Sequence, residues 1–231
     1  MPPLPSPELT APVDLCGPDG RLAPAAVGWS RRPLHRCNLR GRWLARKRWN
    51  YWAVTTDTHL VSATVSSLDY AGVVFVYLAD FERRRLVEAT VVTPFGRGCH
   101  LPETVDAPVT FISRRLGVSF VPHAGGVRLR VQAPAVGGRP LDVDIVATHP
   151  TGHQTLNVVV PWNARTFQFT SKQNTLPAEG MVQWGDERIE FAGPQSFACL
   201  DFGRGIWPRR CRWNWGAGSG RRGNRTIGLN L

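Results

Sequence analysis

Apolar and polar side chains alternate without a break along Val127-Arg128-Leu129-Arg130-Val131-Gln132. That period of two belongs to a strand with one face buried and the other wet. Leu141–Ile145 and Thr166–Thr170 repeat it, and His59–Val65 follows it more loosely. Turn signals separate the runs, at Ala124-Gly125-Gly126, Gly137-Gly138, Pro150-Thr151-Gly152, Trp184-Gly185-Asp186 and Ala192-Gly193-Pro194. Strands spaced by roughly eight to fourteen residues predict a mainly β fold, an antiparallel β-sandwich or barrel with few short helices. The best helix candidate is short, around Leu39–Arg46. The longest apolar run, Ala71–Ala79, is strand length and falls far short of the ~20 residues of a membrane-spanning helix. Prolines punctuate the start, so residues 1–14 are expected to form a flexible lead-in and residues 15–231 a single β-rich domain. The start has neither a basic segment nor an apolar core, so no signal peptide is read and the expected compartment is cytoplasmic.

Charge changes this picture at the two ends of the chain. The net charge is +11, and all but two of the 28 basic residues are arginine. Residues 1–50 carry +6 and residues 201–231 carry +6, while the middle carries −1. A basic surface can attract nucleic acid, an anionic membrane or an anionic ligand. A solvated arginine face explains the same numbers. The five cysteines are scattered without CxxC spacing, which suits reduced thiols in a cytosolic protein.

Candidate chemistry concentrates in Asp201–Gly220, "DFGRGIWPRRCRWNWGAGSG". Asp201 and Arg204 flank a Gly-rich bend and could pair. Read as a strand, Cys211, Trp213 and Trp215 share one face and Arg210, Arg212 and Asn214 the other. That separation argues against an interleaved clamp for nucleic acid. Arg48-Trp49-Asn50-Tyr51-Trp52 echoes Arg212-Trp213-Asn214-Trp215, with two aromatics at i and i+2 in each. Asp69, Asp80 and Asp201 read first as turn or strand-end residues. His149 and His153 flank a turn, so they do not share a helix face and no metal site is expected. Gly96–His100 lacks the helix context of a phosphate loop, and no cofactor motif is present.

Five separated segments, "GWSRRPLHRCNL" (28–39), "KRWNYWAV" (47–54), "LDYAGVVFVYLAD" (68–80), "VVVPWNARTFQFTSKQNTLPAEG" (158–180) and "LDFGRGIWPRRCRWNWGAGSG" (200–220), resemble the bacterial and fungal DUF2804 family. The resemblance runs from about Leu15 to the end. It implies a lipocalin-like β fold, by analogy with the double barrels of carotenoid hydratases and small-molecule cyclases. Fold analogy does not fix function. Members of the family usually run beyond "IGLNL", so the chain is expected to be truncated at its C-terminal end, with a sheet edge open to self-association. Arg209 also stands after Trp207-Pro208 where the family usually has an aromatic residue.

The function expected is binding of a small, largely apolar ligand in an aromatic-lined pocket, with isomerisation, hydration or cyclisation as chemistry such a pocket could support. Whether the protein is an enzyme is left open. The expected lining is Trp49, Tyr51, Trp162, Asn163, Lys172, Trp207, Trp213 and Trp215. Asp201, Arg204, His35 and Asp80 are the candidate catalytic side chains. Two alternatives remain: an anionic-polymer or surface-binding module that uses the basic termini, and a carbohydrate-binding or hydrolysing protein that uses tryptophan faces and a carboxylate pair. Partners expected are the small ligand and a second copy at an open edge; nucleic acid and a membrane span are not expected.

Overall fold

A computed structural model of the chain describes residues 6–231. Short pieces come first: β1 (Val13–Asp14), a 3-10 turn at Pro24–Ala26, β2 (Trp29–Ser30) and β3 (His35–Arg36). Long antiparallel strands follow, β4 (Arg46–Thr55), β5 (His59–Ser67), β6 (Ala71–Asp80) and β7 (Arg85–Pro94). Then come β8 (Val109–Ile112), β9 (Gly117–His123), β10 (Gly126–Val136) and β11 (Arg139–Thr148). The chain continues through β12 (Leu156–Asn163), β13 (Thr166–Trp184), β14 (Glu187–Phe191) and β15 (Phe197–Ile206), then the hairpin β16 (Ala217–Arg222) and β17 (Arg225–Asn230). The molecule is mainly β, and the alternating runs at His59–Val65, Val127–Gln132, Leu141–Ile145 and Thr166–Thr170 lie in strands.

The helix expected at Leu39–Arg46 does not form. Gly41, Arg42 and Leu44 have positive φ, which a right-handed helix forbids. The N–H groups of Leu44 and Arg46 donate instead to the Asp69 carboxylate, so a distant side chain holds this turn. Of the lead-in, residues 1–5 lie outside the described residues. Beyond them, Leu9 N–H donates to the Trp29 carbonyl and Trp29 N–H to the Pro7 carbonyl, and β1 pairs in parallel with β3.

One strand joins the architecture. β13 is 19 residues long, and a register shift between Gln173 and Leu176 bends it, with Thr175 at φ 59. Its first part pairs with β12 and β15, and its second part with β11 and β14. Two layers result. The first holds β7-β6-β5-β4-β15-β13 and β12, and the second holds β13-β11-β10-β9-β8 and β14. A strand that changes sheets through a bend makes such a corner. β7 and β8 end the hydrogen-bonded path, so the sheet is curled but not closed by strand pairing.

The core lies between the layers. Val54, Val65, Val74 and Val76 of the first layer and Val118, Phe120, Leu129 and Val131 of the second are all buried in it. Trp52 of β4 meets Phe120 of β9 with ring centroids 6.3 Å apart. Burying each such side chain contributes about 1.5–3 kcal/mol.

Candidate functional site

Strand register decides which side chains meet. Trp49 and Tyr51 of β4 stand opposite Gly203 and Asp201 of β15, and Lys172 of β13 also stands opposite Asp201. All five face away from the core. Lys172 Nζ lies 2.7 Å from Asp201 Oδ2, each side chain only 12% exposed. The Thr170 hydroxyl donates to Asp201 Oδ1 at 3.3 Å. The Trp215 ring covers Lys172, 4.7 Å from Nζ to centroid, and Tyr51 meets Trp215 edge-on. Desolvation lowers the Lys172 pKa, and the Asp201 charge opposes that shift. Burial raises the pKa of Tyr51, whose hydroxyl lies 2.6 Å from that of Tyr77.

A second aromatic group adjoins the first. Trp207 contacts Trp49, Trp162 and Trp213 at centroid distances of 5.7, 5.3 and 4.9 Å. Lys47 Nζ sits 5.0 Å above the Trp207 ring. Trp49 lies against the backbone of Gly203, where any Cβ would overlap the indole. The structure therefore gathers Trp49, Tyr51, Trp162, Lys172, Trp207, Trp213 and Trp215 on one surface. Asn163 does a different job: its Oδ1 accepts from the N–H groups of Arg165 and Thr166 and holds the β12–β13 turn.

Two readings of the Trp/Arg stretch are corrected. Residues 207–216 are not a strand, so the expected alternation of tryptophans and arginines is not realised. Trp207 N–H still donates in register to the Ala45 carbonyl, and the ladder stops where Pro208 has no N–H to continue it. Trp213 is 62% exposed. Asp201 and Arg204 do not pair either. Three apart on β15, they point to opposite faces.

Arg204 is sealed between the layers. It donates to the carbonyls of Pro102, Trp49 and Gly203 and to Asn50 Oδ1, with its guanidinium 3.6 Å from the Phe202 ring centroid. No carboxylate faces it among the described residues, and desolvation pushes its pKa down to about 9. His35 is buried against Phe169, and its Nε2–H donates to the Ala26 carbonyl at 2.9 Å. Asp80 accepts from the N–H and guanidinium of Arg83 and closes the β6–β7 turn. Asp80 and Asp201 lie on opposite faces of the sheet, so they do not form the facing carboxylate pair that glycoside cleavage uses. Cys16, Cys37 and Cys99 are buried free thiols.

A cleft of about 460 Å³ opens between the layers near the β13 corner. Trp52 and Leu200 form its floor, and Pro122 and Val127 add apolar wall. Arg32, Asp106, His123, His149, His153 and Gln173 supply its polar groups. His149 Nε2 lies 2.9 Å from Gln173 Oε1. His153 Nε2 lies 2.8 Å from the Asn174 carbonyl, which can only accept, so the neutral ring keeps Nδ1 as an acceptor. None of the residues expected to bind ligand lines this cleft. Its signal was present in the run Trp49-Asn50-Tyr51-Trp52, where Trp52 has the opposite parity to its two aromatic neighbours and must face inward.

A family model described as domain of unknown function (DUF2804) matches residues 6–231. No curated protein matches the chain. Among solved structures, a Nitrosomonas europaea protein provisionally named AttH is similar at 12% identity and a TM-score of 0.45, over 71% of this chain and 52% of that one. The chain thus spans about half the length of that protein.

Proposed function

The chain belongs to the DUF2804 family, and from that premise we propose that the cleft between its two layers binds a small, largely apolar ligand. One observation carries the reading: an apolar floor of Trp52 and Leu200 beneath a rim of histidine and glutamine in a space of about 460 Å³. Ligand sites are concave, mostly apolar and furnished with a few placed polar groups, at volumes of roughly 300–1,000 Å³. The indole of Trp52 supplies a flat contact surface. His149 and His153 supply hydrogen bonds that orient a polar end of the ligand, and imidazoles so placed are groups that isomerisation or hydration would use.

The uncharged probe N-phenyl-1-naphthylamine tests this. Its emission should rise on binding, and His149→Trp, which fills the rim with an indole, should weaken binding by tenfold or more. Trp213→Ala, on the far surface, should leave it unchanged. No rise in emission, or equal binding by wild type and His149→Trp, would contradict the proposal.

A further inference from the structure

Parts of the two basic ends of the chain, far apart in sequence, meet at one end of the first layer, while the C-terminal hairpin packs at the β13 bend. β4 starts at that end of the layer with Arg46, β15 ends there at Ile206, and the two are paired. The β12–β13 turn lies at the same end, since Phe167 pairs with Ile206. Leu22 N–H donates to the Ala164 carbonyl in that turn, which brings in the loop preceding Leu22. Arg21, Arg40, Arg42 and Arg165 surround an open depression of about 560 Å³, with Asp19 as the acid on its rim. Arg209, Arg210 and Arg212 are exposed on the loop that follows β15.

Pairing varies over the molecule. Arg31, Arg36, Arg83, Arg85, Arg128 and Arg139 each meet a carboxylate, whereas Arg32, Arg97, Arg188 and Arg222 meet none among the described residues. At the basic end Asp69 is buried and already held by Arg46 and Arg48, and Asp19 lies 3.6 Å from Arg21. Among the described residues, Arg40, Arg42, Arg165, Arg209, Arg210 and Arg212 have no carboxylate within ion-pair distance. Exposed aromatic rings adjoin them. Trp43, next to Arg42, is 60% exposed and stacks at 6.3 Å on Phe95, itself 70% exposed. Trp162 precedes Arg165 by three residues, and Trp213 follows Arg212 directly.

We propose that this end of the sheet binds single-stranded nucleic acid, with phosphates in the arginine depression and bases on Trp43, Trp162 and Trp213. Arginines that track a backbone beside exposed rings are what unpaired bases require. The sequence argued otherwise because a strand would put Trp213 and Arg212 on opposite faces. The irregular loop removes that separation.

Anisotropy titration of a labelled oligothymidylate of about 20 nucleotides tests the proposal. Binding should weaken between about 50 and 200 mM salt with a log–log slope near −3, as four phosphate contacts on a single strand predict. Arg40→Ser with Arg165→Ser should weaken binding about tenfold and make the slope shallower by about 1.4. Trp43→Ser with Trp213→Ser should weaken it about tenfold at unchanged slope, and should leave heparin binding unaltered. Both pairs are exposed, so an unchanged circular dichroism spectrum should accompany each loss. Absence of binding at the lowest salt would overturn the proposal. So would heparin or anionic vesicles binding as tightly as the oligonucleotide with no effect of the tryptophan changes, which marks a general polyanion surface.

Discussion

Asp69 shows how one side chain organises a whole corner. Its carboxylate is almost fully buried and accepts from Leu44 and Arg46 N–H and from the guanidiniums of Arg46 and Arg48. It fixes the turn where a helix was expected, and it positions the start of β4. Asp69→Ala removes the charge and leaves two half-buried arginines unpaired, which should cost about 3 kcal/mol in a urea unfolding experiment. Loss of a few tenths or less would show that solvent already satisfies those arginines. At this scale the sequence was only partly legible. Asp69 read as a turn residue, and it is one. Nothing local in the sequence tells that its acceptor oxygens reach 25 positions back to Leu44. Asp201 likewise finds Lys172 across a ladder, not the nearby Arg204, because strand parity overrides sequence proximity.

Among elements, the alternating strands were legible because each buries one face and exposes the other. The limits are instructive. β13 reads clearly only to Thr170, since Asn174, Pro177 and Gly180 interrupt its alternation where it bends between layers. The segment after Trp207 looked like a strand by alternation, but Pro208 ends the ladder. β3 carries a pH-dependent element of stability. His35 is buried against β13, and desolvation lowers its pKa from the ordinary 6.5. As pH falls below 6.5 the unfolded chain therefore takes up this proton before the folded one does. The contribution is fully present above that pH and is lost as pH falls from 6.5 towards the lowered value. Urea midpoints at pH 7.5 and 5.5 should differ more for wild type than for His35→Gln, whose amide can still donate to Ala26. The carboxylates with shifted pKa values titrate from ordinary values of 3.8 and 4.5, below this window. Equal pH sensitivity of both proteins would contradict the assignment.

The whole molecule has two separate binding regions in this account. One is the apolar cleft at the β13 corner, and the other is the basic, aromatic end where the start of β4 meets the end of β15. Composition announced the charge at the two ends of the chain, but only the pairing of β4 with β15 shows that parts of them share a place. Four of the nine tryptophans mark these environments, with Trp52 inside the cleft and Trp43, Trp162 and Trp213 outside at the basic end. Fluorine NMR of 5-fluorotryptophan protein, assigned by single Trp→Phe changes, reads both regions in one spectrum. N-phenyl-1-naphthylamine should shift Trp52 and leave Trp43 and Trp213 in place. The oligothymidylate should shift Trp43 and Trp213 and leave Trp52 in place. If the apolar probe moves the surface tryptophans and spares Trp52, the cleft is not the ligand site.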